Sequence, residues 1–508
     1  MKKIIFIIYL NILFVVKKIV SSSPLMMPIE SFIYQTGEES EKVDSETKNF
    51  IYELFNSNTV STVKIGSKLY PLTAFININS AYFYLSEKCN IDKSSSFDYK
   101  KNFNYNRYQS DSFDNKSSFN ITFGTSSHAC MGRENFKVLD HEKKEINLEN
   151  IDFILSEDTN ENKPNCLYIG LLDNQYSQTS FKDYTLITQL KQKKFINEYC
   201  WFILFNKATK YNNDNSLYDP DEIANLKGNI FFGDFPHNFD TKNFYKSQLI
   251  NTYTSYTSSN IMKWELKFNK IYFKNNDAKE IKIDDKIVKI DPSNYLIFAP
   301  KEYLELIIEN FFQKYIDEKI CSYAYFEEYT SIYCHKSDKF SIDKIKTFPT
   351  IYFEHINLEY TFELTYKDLF VEKDNIYWFL VVSDYQFNVN DWILGNLFMR
   401  KYQFVFNLDT KEIGFYNPKL TKEQNGDGNN SSGSKTILYI LLIIALIIII
   451  IGVGIFIKMK FFPGIAKKKR ANELDDDYEY VSDKKERNNN MNSNENENKL
   501  FNTDNNIN

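Results

Sequence analysis

Groups that drive much of enzyme chemistry are scarce in this chain. Its 508 residues include only five histidines, and these are scattered. His128 near Cys130 reads as a surface hairpin pair rather than a catalytic one. No G-x-S-x-G nucleophile elbow, no H-E-x-x-H helix and no glycine-rich phosphate loop occurs, which excludes the chemistries those motifs support. A net charge of -6 and a pI near 5.7, with no basic stripe interleaved with aromatics, give no basis for nucleic-acid binding. No cofactor, metal or nucleic-acid partner is expected.

Cysteine is absent from the C-terminal tail. Cys89, Cys130, Cys166, Cys200, Cys321 and Cys334 all lie in the body of the chain. An even number on the secretory side suggests disulfides, with most of the connectivity open. Cys321 and Cys334 are close enough in sequence to be the best single pair. Cys166 and Cys200, each inside an apolar strand-like run, also read as buried free thiols.

What is present at the two ends is membrane-directed. Lys2 and Lys3 precede an apolar run to Val16, and small residues follow at Ser21 to Ser23, so 1–23 is expected to be a secretory signal peptide. Residues 436–457 are continuously apolar and long enough to cross a bilayer. Lys458, Lys460, Lys467, Lys468, Lys469 and Arg470 follow, placing the C-terminus in the cytoplasm. The expectation is a single-pass type I protein on the secretory route, its body lumenal or extracellular. A flexible linker (421–435) precedes the span, and a disordered tail (458–508) follows it.

Residues 24–57 are polar and mixed, and read as a loosely ordered leader or short prosegment with one helix over Ser45 to Phe55. From 58 to 420, short aromatic or β-branched runs alternate with Asn, Asp, Ser and Gly clusters, a mostly-β pattern. Asp92 to Ser118 reads as a surface insertion. One helix interrupts the second half, where Leu304, Ile307, Ile308, Phe311 and Phe312 share a face.

The motifs carry a family resemblance. Ile65 to Leu85 runs Ile-Gly-Ser, then an alternating strand, then Asn77-Ile78-Asn79-Ser80, then a second apolar run. This resembles the first half-site of pepsin-like aspartic proteases, I-G-T-P-P-Q followed by D-T-G-S-S-N-L-W-V. Ser118 to Gly132 is similar to the family's flap hairpin, with Phe123, Gly124 and Thr125 in it and Phe123 where a tyrosine is usual. Asn165 to Leu171 matches D-G-I-L-G-L-G, and Trp201 to Phe205 and Gly228 to Pro236 match the strands that close the first lobe. Val288 to Pro300 aligns with the second half-site, placing Asp291 at the second catalytic aspartate and Asn77 at the first. Asp391 to Tyr416 is similar to the closing W-I-L-G-D-x-F-L-R-x-Y segment.

The resemblance implies a mostly-β, bilobal pepsin-like fold, with lobes over 58–241 and 242–420 and a central cleft. Asn77, Asn79, Asp291, Ser293 and Asn294 would lie on its floor. Aspartic proteases need two carboxylates sharing a proton, and an amide cannot accept that proton. Asn77-Ile78-Asn79 and Asp291-Pro292-Ser293 replace both D-T-G triplets, and only Asp291 keeps its letter. Asp291 itself reads equally as a solvated turn residue or as part of the cleft floor.

The expected function is therefore a pseudoprotease that binds a peptide or protein in its cleft. The alternatives are an aspartic-type endopeptidase with a non-standard dyad, or a structural or adhesive surface protein. Sequons at Asn115 and Asn120 are glycosylation candidates beside the flap segment.

Overall fold

A computed structural model describes residues 23–33, 49–78, 82–86, 110–119, 129–156, 167–172, 185–206, 217–254, 263–274, 280–283, 286–326, 329–384 and 392–420. All belong to the compact unit Met1–Glu423. The architecture is mostly β, as expected, and among the described residues the strands form sheets of thirteen, nine and four.

The placement of the site follows from a repeat. In the first half, β2 (Ser57–Ile65), β3 (Tyr70–Asn77), β4 (Phe83–Ser86), β5 (Glu145–Ser156) and β6 (Leu167–Gly170) lie side by side in the order β2-β3-β6-β4-β5. In the second half, β7 (Glu265–Phe268), β8 (Lys286–Ile290), β9 (Ile297–Phe298), β10 (Val381–Asp384) and β11 (Trp392–Leu394) lie in the order β7-β8-β11-β9-β10. Successive pairs are antiparallel, parallel, antiparallel and parallel in both sets. Parallel neighbours require both faces to be covered. Accordingly β3 is buried on both faces, with Leu72, Ala74 and Ile76 on one and Thr73 and Phe75 on the other, and in the second set the successive residues Ile297 and Phe298, and Val381 and Val382, are all buried.

The expectation of loose order over 24–57 fails for the residues that are described. Leu25–Ile33 is strand β1, hydrogen-bonded along Lys227–Phe232 on one side and β2 on the other. Leu25, Met26, Met27 and Ile29 are all buried. Three buried residues in succession, Leu25 to Met27, remove the in/out alternation that marks a strand in sequence, and the exposed Pro28 and half-buried Glu30 interrupt the apolar run that follows. The expected helix is present as α1 (Asn49–Phe55). It is core rather than leader. Phe50, Ile51 and Leu54 are buried, and Phe55 packs 5.2 Å from the Phe326 ring and 5.0 Å from that of Tyr329.

Part of the supposed surface insertion is also ordered, since Asp114–Phe119 forms a strand against Ala129–Asp140. The amphipathic helix is borne out as α2 (Lys301–Ile307), a π-turn over Ile308–Phe312 and α3 (Gln313–Asp317). Leu304, Ile307, Phe311 and Phe312 are buried on its inner face. Cys321 and Cys334 form a disulfide across an antiparallel hairpin. Cys200 is a buried free thiol, its pKa pushed up by desolvation and by the charge of Asp234. Cys89, Cys166 and the apolar span 436–457 lie outside the described residues. Among the described residues, no helix is long and apolar enough to cross a membrane.

Candidate functional site

The register of the repeat fixes which residues correspond. Ile169 pairs with both Ile76 and Phe83, while Leu394 pairs with both Ile290 and Ile297. Counting one residue on from Ile76 and from Ile290 gives Asn77 and Asp291, so the structure sets these two at equivalent positions without reference to any motif. Asn77 ends β3 opposite Gly170, half-buried, and its carbonyl accepts the Leu171 N–H at 3.0 Å. Asp291 leaves β8 with its own N–H donated to the Leu394 carbonyl at 3.1 Å.

Asp291 is 4% exposed, which rules out the solvated-turn reading. Its carboxylate is engaged by its own loop. The Ser293 N–H donates to Oδ1 at 2.9 Å, the Ser293 hydroxyl donates to Oδ1 at 2.5 Å, and the Asn294 side-chain amide donates to Oδ2 at 2.9 Å. Asp291, Ser293 and Asn294 are thus brought together. Pro292 stands at the threonine of the D-T-G triplet and brings no hydroxyl to Asp291. The hydroxyl is carried by Ser293, at the position where the family keeps glycine, and the short serine side chain folds back on its own loop.

Nor does the loop need that glycine, because among the described residues none of the positive-φ positions falls between 286 and 300. A glycine is required instead directly after β11, at the glycine that the W-I-L-G segment shares with the family. A Cβ on Gly395 would stand 2.2 Å from the Asn294 carbonyl oxygen and 2.7 Å from that of Leu296. Only a residue without a side chain lets the loop lie so close to β11.

The loop is also held from the other half of the molecule. The Thr59 hydroxyl, on β2, donates to the Pro292 carbonyl at 2.6 Å and accepts from the Asn396 side-chain amide at 3.1 Å. Tyr295, further along the loop, is 2% exposed, and burial pushes its phenol pKa up.

Asn79, Phe123, Gly124, Thr125 and Asn120 lie outside the described residues. Asn115 falls within Asp114–Phe119, opposite Gly132, where the ladder is irregular between Asn115 and Ser117. An open pocket of about 470 Å³ is lined by Met26, Glu30, Lys143 and Lys227 among others, but by neither Asn77 nor Asp291. Among the described residues no cluster of His, Cys, Asp and Glu is arranged to hold a metal.

Sequence reasoning missed Thr59, Trp264 and Asn396. Asn396 carried a visible signal, since it stands where the closing segment of the family has aspartate. Thr59 and Trp264 carried none, because the segments joining them to β3 and β8 differ in length and spacing does not relate them.

No curated protein sequence is significantly similar to the chain. Among solved structures, basic 7S globulin from soybean is similar over 78% of this chain and 95% of that one, at 11% identity and a TM-score of 0.48. The sequence profile described as eukaryotic aspartyl protease matches residues 59–417. That match takes in both half-sites and the larger part of the sequence, and the chain belongs to the eukaryotic aspartyl protease family.

Proposed function

We propose that this is a membrane-anchored, catalytically inactive member of its family that binds a peptide or protein ligand in the cleft between its half-sites. One observation carries the reading. The position equivalent to Asp291 holds the amide Asn77, and the Asp291 carboxylate is occupied by Ser293 and Asn294. Water activation by this family's chemistry requires a proton shared between two facing carboxyl groups, so that one acts as base and the other as acid. An amide supplies neither role.

The lobes and their half-site strands survive this loss, and an intact framework around a dismantled dyad favours binding over hydrolysis. The apolar segment 436–457, with its cationic flank, supports anchoring with the body on the lumenal or extracellular side.

The test is incubation of the purified full-length chain with a broad peptide library at acidic and neutral pH, read by mass spectrometry. The reading expects no cleavage and recovery of bound peptides with the protein. Cleavage that Asp291→Ala abolishes would refute it.

A further inference from the structure

The repeat that aligns Asn77 with Asp291 also aligns Thr59 with Trp264. Val60 pairs with Phe75, which sets Thr59 opposite Ile76; Glu265 pairs with Lys289, which sets Trp264 opposite Ile290. The Ile290 N–H indeed donates to the Trp264 carbonyl at 3.0 Å. By the same register Gly170 corresponds to Gly395, so Leu171 corresponds to Asn396.

The two pairs touch crosswise. Thr59, in the first half, contacts Asn396 of the second at 3.1 Å, while Trp264, in the second half, donates its indole N–H to the Leu171 carbonyl of the first at 3.3 Å. Each contact continues into the half-site it reaches. Thr59 goes on to the Pro292 carbonyl, next to Asp291. Leu171 goes on, through its N–H, to the Asn77 carbonyl. Trp264 is 3% exposed and Thr59 2%, so neither bond competes with bulk water.

We infer that Thr59 and Trp264 are positioning residues, forming a reciprocal clasp by which each half of the molecule fixes the half-site loop of the other. The clasp supplies the register of the cleft floor in a chain whose half-site triplets lack both threonine and glycine. This inference goes beyond the binding reading and stands or falls separately from it, because it concerns the loops whether or not a ligand occupies the cleft.

Hydrogen exchange of the full-length chain, resolved by peptide mass spectrometry, tests it. Thr59→Val keeps the shape and removes the hydroxyl. Exchange should quicken roughly five-fold, the factor for the net worth of one hydrogen bond, in peptides covering 293–298 and 394–398, which belong to the opposite half. Thr59→Ser should restore the wild-type pattern. Trp264→Phe should quicken peptides covering 76–78 and 169–172 instead.

A uniform rise, a rise confined to the substituted strand, or no change would each overturn the inference. A merely structural loss loosens the residue's own surroundings or the whole fold, and does not select the opposite loop. If Trp264→Phe fails to fold, the Thr59→Val and Thr59→Ser pair decides alone by the same criterion.

Discussion

Asn396→Asp restores the letter that the family keeps at this position, and the structure predicts that it damages the protein. The Thr59 hydroxyl has one proton, which goes to the Pro292 carbonyl at 2.6 Å. Whatever faces its lone pair must therefore donate, as the Asn396 amide does at 3.1 Å. Asn396 is 1% exposed. An introduced carboxylate would remove the donor and leave a buried charge with no compensating partner, at a cost of about 3–5 kcal/mol.

The sign of the pH dependence follows. Desolvation raises the pKa of the introduced carboxyl in the folded state above the ordinary value of about 3.9. Its stabilising protonated form is therefore fully present below about pH 4 and is lost as pH rises through the folded pKa. Protonated, the carboxyl donates to Thr59 as the amide does. Urea unfolding of the full chain in mild detergent, followed by tryptophan fluorescence, measures this directly. The midpoint of the variant should approach wild type at pH 4 and fall well below it at pH 7. Equal midpoints at both pH values, or a larger loss at pH 4, would refute the donor argument.

Other substitutions probe other parts of the account. Gly395→Ala forces a methyl to within 2.2 Å of the Asn294 carbonyl oxygen, and should cost about 1–3 kcal/mol as the Asp291 loop is pushed off β11; a neutral result in the same unfolding assay would show that the loop gives way freely. His355 is buried, its Nδ1 accepts the Leu358 N–H at 3.3 Å, and desolvation pushes its pKa down to about 4. A histidine depressed in this way stabilises the fold above its ordinary pKa, and that contribution is lost as pH falls from about 6.5 toward the folded value. The unfolding midpoint of His355→Gln should accordingly vary less than that of wild type over this window. Replacing Cys321 and Cys334 together by serine opens a loop of sequence separation 13, and should lower stability by about 3 kcal/mol, read as a lower urea midpoint.

Much of the site was legible in the sequence because its landmarks are local. The half-site strands announce themselves as apolar runs of strand length, the helix after Pro300 by its spacing, and the closing strands by the W-I-L-G segment. Three features were not legible, each for a physical reason. Strand β1 opens with Leu25, Met26 and Met27 buried in succession, so its start shows no alternation, and its position near the start of the chain suggests a leader. The D-T-G pattern points to position 292, where Pro292 has no hydroxyl, whereas the donors to Asp291 are Ser293 and Asn294, one and two places further on. The clasp depends on residues far apart in sequence, Thr59 with Asn396 and Trp264 with Leu171. Only the sheet register brings those pairs together, and no local pattern encodes a register between distant strands.

Asn77 and Asp291 hold equivalent places while only one of them carries an acid, and the central claim is that this site performs no hydrolysis. The most direct measurement is peptide-library digestion by the full-length chain at acidic and neutral pH, run in parallel with Asp291→Ala. The account predicts that both proteins leave the library intact. Cleavage by the wild-type chain that disappears in the Asp291→Ala variant would contradict it.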